Sequence, residues 1–175
     1  MFGVEAMGNH QQLVEQALGG DLPKLAVDFF VVFARFECAL KRSITYAALD
    51  REKVSADWDG FARDLGNSFL EEVIAQEMAP DLVNRPPKQQ VMLPDEGGLG
   101  WRETPVVRNS AELFVAIRRA RNNLVHGAKY RDGATGHVDL VEGSERDNML
   151  LDQSLAVLGL ALERSPDVQR FFLRY

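Results

Sequence analysis

Cysteine is almost missing: the 175 residues contain one, Cys38, so no internal disulfide can form and a reducing compartment is the simplest setting. No stretch approaches the roughly 18 uninterrupted apolar residues of a membrane span. The segment from Met1 to Gly20 also lacks the charged start and apolar run of an export signal. A cytoplasmic protein without a membrane partner is expected. GxGxxG, the P-loop, the nucleophile elbow and HExxH are all absent, and three histidines with one cysteine make no convincing zinc site, so neither metal nor cofactor is expected. Cys38, among phenylalanines, reads as a small buried hydrophobe rather than a nucleophile. An excess of positive charge is missing too. Twenty Lys and Arg against 26 Asp and Glu give a net charge of −6, which excludes a surface that coats nucleic acid or membrane over its whole extent.

What the chain does have is apolar periodicity. With 46% apolar and 26% charged residues it can bury a core, and one domain over residues 1–175 is expected, with its core at about 22–163. Leu22, Leu25, Phe29, Val32, Phe33, Phe36, Leu40, Ile44 and Ala47 recur at spacings of three and four and predict a long helix, capped by Asp21. A weaker helix precedes it from Asn9 to Leu18. A third starts after Asp57 and carries Trp58, Phe61, Leu65, Phe69, Val73 and Ile74 to about Met78, where Ala79-Pro80 stops it. Pro80 to Pro105 has no sustained period and reads as a long loop, with room for a short hairpin. A fourth helix opens at Asn109-Ser110, where Asn109 and Glu112 have capping-box spacing, and runs to His126 before Gly127. Tyr130 to Gly143 reads as a turn segment with a small hairpin around Asp132-Gly133. A fifth helix takes Asn148 to Glu163, and Ser165-Pro166 starts a last turn or two. The fold class that follows is all-α, an up-and-down bundle of four to five helices with a long loop between the third and fourth.

Chemistry concentrates on the fourth helix. Arg118, Asn122 and His126 lie at i, i+4 and i+8, one line along one face. Arg121 falls in the apolar row Phe114, Ile117, Arg121, Leu124. A guanidinium there costs several kcal/mol, of order, unless it is paired or wetted, so it must meet a carboxylate, a subunit interface or a cleft. Glu37 could reach it, but the expected partner of Glu37 is Lys41, one turn on along its own helix. His126 sits in the last turn, where the helix dipole favours its protonated form and suits proton transfer near neutral pH. From Arg102 to Arg131 seven basic residues stand against two acidic ones, a net +5 that leaves −11 on the rest of the chain. Such a basic element on an acidic body binds a polyanion locally.

At these residues the sequence resembles the HEPN superfamily. Its mark is an Arg, commonly followed by a polar residue such as Asn, then four to six residues to a His at the end of a helix. Arg121-Asn122-Asn123-Leu124-Val125-His126 has this form, with Gly127 and Lys129 following. Phe29 to Arg42 is similar to the first core helix of small bacterial and plasmid-borne HEPN proteins, and the resemblance spans Leu22 to Glu163. It implies a HEPN-like bundle that forms a homodimer, with two Arg/His motifs in a shared cleft. It also implies a metal-independent endoribonuclease of toxin or phage-defence type. In that reading Arg121, His126 and Asn122 are catalytic, while Arg118, Asn123 and Lys129 hold RNA. An antitoxin nucleotidyltransferase is a possible further partner. The alternative is a non-catalytic module that binds RNA, a nucleotide or a partner nucleotidyltransferase.

Overall fold

Apolar side chains at every third or fourth position wind Lys24–Arg42 into helix α1, which buries Ala26, Phe29, Phe33, Phe36, Ala39 and Leu40. The computed structural model describes residues 24–93, 98–126 and 144–174. The expected helix from Asn9 to Leu18, the Asp21 cap and the turn segment from Tyr130 to Gly143 lie outside these residues. Cys38, expected to be buried, is half-buried on α1.

The helix does not continue to Ala47. Ser43 Oγ donates to the Leu40 carbonyl at 2.6 Å, and Ile44 takes a left-handed backbone, φ +67°, that no helix accommodates. The chain turns there into an antiparallel hairpin, β1 (Ala47–Asp50) and β2 (Lys53–Ala56), in register from Ala47 opposite Ala56 to Asp50 opposite Lys53. The all-α expectation is therefore corrected: the described residues are mostly helical, with two small antiparallel sheets.

The third predicted helix is two. Asp57 accepts the Gly60 N–H at 2.9 Å and caps α2 (Trp58–Leu65). Gly66, at φ +72°, then bends the chain into α3 (Asn67–Ala75), which glycine alone does without steric cost. Past α3, Glu77 is left-handed, its N–H on the Ile74 carbonyl and that of Met78 on the Val73 carbonyl, the paired bonds of a Schellman stop.

The expected loop is organised. It holds a short helix α4 (Pro80–Asn84) and a second antiparallel hairpin, β3 (Gln89–Leu93) with β4 (Gly98–Arg102), Gln90 standing opposite Trp101. Its backbone is pinned by distant side chains. Gln153 accepts from Leu82 N–H at 2.9 Å, Arg146 donates to the Arg85 carbonyl at 2.8 Å, and Asn123 donates to the Lys88 carbonyl at 2.8 Å.

Helices α5 (Ser110–His126), α6 (Ser144–Glu163) and α7 (Pro166–Leu173) complete the described chain. Helix α6 starts four residues before the expected Asn148, with Glu145 and Asp147 in a first turn where the dipole favours acids. Inside, Trp58 stacks on Phe36 and Phe33 with centroids 5.3 and 5.4 Å away. Phe114 of α5 joins the same cluster through Phe61 at 5.4 Å and Phe69 at 5.8 Å. Arg35 donates from Nε and Nη2 to the Phe172 carbonyl at 2.8 and 2.6 Å, holding α7 on α1. No described helix is long and apolar enough to cross a membrane.

Candidate nucleic-acid interface on helix α5

Helix α5 begins as its sequence dictates. Asn109 Oδ1 accepts the Glu112 N–H at 2.8 Å, and Glu112 Oε2 reaches back past the cap residue to the Arg108 N–H, also at 2.8 Å. That bond and the Arg108 guanidinium hold the Glu112 carboxyl below its ordinary range. Ser110 Oγ donates to the Gly66 carbonyl at 2.6 Å, anchoring the base of the helix on the α2–α3 junction. Leu113, Phe114, Ala116, Ile117, Ala120 and Leu124 are buried, so the helix is fixed along its length with its remaining faces set by the 3.6-residue turn.

One of those faces is cationic. Arg118, Arg119, Asn122 and Asn123 of α5, with Val115, meet Gln89 and Gln90 of β3 around an open concavity of about 390 Å³. Among the described residues its lining contains no carboxylate. Arg118 and Asn122 make no side-chain hydrogen bond or ion pair among the described residues. Arg119 is half-buried; its contact is a long 3.5 Å donation to the Pro87 carbonyl, and burial lowers its pKa without a compensating acid. Two guanidiniums and exposed carboxamides without an opposing charge make a site for an anion that also presents polar edges.

Arg121 is placed elsewhere. Its guanidinium carbon lies 5.1 Å from the centre of the Phe33 ring, and Nη2 lies 3.9 Å from Glu37 Oε1 on α1. The anomaly of an arginine in an apolar row is thus met inside the chain, by a carboxylate and an aromatic face. Glu37 reaches this arginine rather than Lys41, and the same oxygen accepts the Trp58 indole N–H at 3.1 Å. Arg121 Nε is buried without a hydrogen-bond partner.

Of the residues singled out from sequence, the structure brings Arg118, Asn122 and Asn123 to one concavity and turns Arg121 away from it. Asn123 is largely spoken for, being 8% exposed and bonded to Lys88. His126 ends α5, but its side chain and all of Lys129 lie outside the described residues. Gln89 and Gln90 were not singled out, and Arg119 was given no site role. Arg119 carried a signal, lying four residues after Val115 and three before Asn122 on one helical face; the glutamines come from a hairpin with no sequence period. No family model, curated protein or solved structure matches the chain.

Proposed function

We propose that the chain is a HEPN-like RNA-binding protein that holds a strand along the cationic face of α5 and cleaves it without a metal ion. The observation that carries this reading is the concavity in which Arg118 and Arg119 stand with no carboxylate among the described lining residues. Phosphate oxygens supply the missing charge, and confinement of the basic face reconciles anion binding with a net charge of −6. His126, four residues beyond Asn122 at the end of the same helix, would exchange protons with the 2′-hydroxyl or the leaving oxygen. Arg118 and Arg119 would neutralise the reacting phosphate. Arg121, as catalytic partner of His126, fits this scheme through a homodimer in which its exposed part meets the other copy's strand.

A second reading, binding without cleavage, is favoured by one feature: the guanidinium of Arg121 rests on Phe33 beside Glu37, away from Arg118 and Asn122. The test for both is incubation of single-stranded RNA with purified protein in EDTA, beside His126→Ala, Arg118→Gln and Arg121→Ala. Cleavage that falls about 10²- to 10⁴-fold in His126→Ala, the usual range for losing a general acid or base, supports the first reading. Intact RNA with salt-sensitive binding supports the second. Equal cleavage by all four proteins points to a contaminating nuclease and overturns the assignment of activity.

A further inference from the structure

Beside the concavity on α5 lies a second hollow of about 230 Å³, and the two share Val115 and Arg119 in their linings. Their chemistry differs. The first presents guanidinium and carboxamide groups, while Pro86, Pro105, Val107 and Val115 make the second mostly apolar, with Thr104 and Arg108 also in its lining. The acid in that second lining, Glu112, is already engaged by Arg108 through its backbone N–H at 2.8 Å and its guanidinium at 3.2 Å. Arg119 stands at the seam, half-buried and with no ion pair among the described residues. Val115 is 38% exposed there, an apolar side chain facing outward from a helix whose other apolar residues mostly face the core.

A ligand complementary to both halves carries an anion joined at short range to a flat apolar body with polar edges. An acidic peptide supplies the charge without the flat body, and a hydrocarbon chain supplies neither polar edges nor a place for Gln89, Gln90 and Asn122. A nucleotide supplies all three. Carboxamides make paired donor and acceptor contacts with base edges, and apolar walls cover base faces. In a duplex those faces are stacked and those edges are paired, so a base reaches such a hollow only when it is unpaired.

We infer, resting on the RNA-binding reading above, that the double hollow is a subsite for one unpaired nucleotide, with its phosphate on Arg118 and Arg119 and its base against Pro105 and Val115. The substrate class is then single-stranded RNA or an RNA loop, and Val115 and Pro105 are specificity residues.

The experiment measures affinity, at one fixed salt concentration, for a 2′-O-methyl ten-nucleotide strand that the proposed cleavage cannot consume. It is compared with its duplex, with the same strand carrying a central run of abasic positions, and with AMP as competitor. The single strand is expected to bind about tenfold more tightly than the duplex and the abasic strand, a difference readily resolved. Val115→Asn is expected to erase that margin without shifting the melting temperature. Equal binding of all three strands, weakened throughout by Arg118→Gln, overturns the nucleotide subsite and leaves the RNA-binding reading standing. AMP competing as tightly as the ten-nucleotide strand reassigns the hollow to free nucleotides and overturns the RNA substrate class. Binding to none of the strands overturns the RNA-binding reading itself. The abasic comparison uses the native protein and does not depend on any variant folding.

Discussion

Arg121 and Glu37 face each other across the contact between α5 and α1 at 3.9 Å, and the Glu37 oxygen that meets the guanidinium is the one that accepts the Trp58 indole N–H at 3.1 Å. The carboxylate thus serves two donors of unequal importance. Both charged side chains are about a third exposed, 28% and 31%, so solvent screens the ion pair, whereas Trp58 is 3% exposed and has no water to turn to.

Glu37→Gln keeps an acceptor for the indole and removes only the charge, so it is expected to destabilise the fold by less than about 1 kcal/mol. Glu37→Leu leaves a buried N–H unsatisfied and is expected to cost about 1–3 kcal/mol. Urea denaturation of the two variants measures the difference. Equal losses would place the energy in the ion pair and contradict this division.

Besides Arg51 in the β1–β2 turn, φ +55°, two further described residues with side chains sit in the left-handed backbone region where glycine is preferred: Ile44 at φ +67° and 81% exposed, and Glu77 at φ +51° in the stop after α3. Replacing either by glycine removes a steric cost of roughly 1–2 kcal/mol, against which the greater freedom of glycine in the unfolded chain is set. A net gain of about 0.5–1 kcal/mol is expected for each, visible as a melting temperature raised by about 1–4 °C. Glu77→Val, with a branched Cβ at the same φ, is expected to melt lower than the native protein.

Among the described residues, three carboxylates are held below their ordinary pKa, 4.5 for glutamate and 3.8 for aspartate. They are Glu72 by hydrogen bonds from Arg164, Asp81 by Arg85 and Gln153, and Glu112 by the Arg108 backbone N–H and guanidinium. A depressed native pKa contributes stability that is complete above the ordinary value and is lost as pH falls through the native one. The urea midpoint is therefore expected to hold steady above about pH 5.5 and to fall below about pH 4.5. The triple variant Glu72→Gln, Asp81→Asn, Glu112→Gln is expected to start lower and to show a flatter acid limb.

RNA affinity, if carried by the α5 concavity, depends on salt through the phosphates that Arg118 and Arg119 neutralise. Each single variant to glutamine is expected to reduce the slope of log affinity against log salt by about 0.7, the single-strand value per phosphate contact. Binding titrations at four salt concentrations measure it. An unchanged slope in both variants would remove these arginines from the phosphate path.

The helices were legible where side-chain period alone decides the structure. The apolar spacing of α1 is seen in the burial of Phe29, Phe33, Phe36 and Leu40, and the Asn109–Glu112 spacing marks the start of α5. What was illegible depends on backbone conformations that carry no residue signature here. The β1–β2 turn is Arg51-Glu52 rather than a glycine pair, its strands Ala47–Asp50 and Lys53–Ala56 are four residues each, and Ile44 is a residue that ordinarily avoids positive φ. The splitting of α2 from α3 was marked by Gly66, a residue that helices also tolerate. At the site, Arg118 and Asn122 could be placed on one face from spacing. Gln89 and Gln90 could not, because their position depends on Asn123, Arg146 and Thr104 holding the 85–88 backbone from elsewhere in the chain.

The aromatic stack around Trp58 also gives the molecule two separate optical reporters. Of the two tryptophans, Trp58 is sealed between Phe33 and Phe36, with its indole N–H bonded to Glu37. Trp101 is half-buried on β4 opposite Gln90, in the hairpin that borders the concavity. Emission from the first changes when the core opens, and emission from the second changes when the hairpin's surroundings change. In Trp101→Phe the remaining tryptophan reports unfolding of the core, and in Trp58→Phe the remaining one reports changes at the hairpin, each without a label.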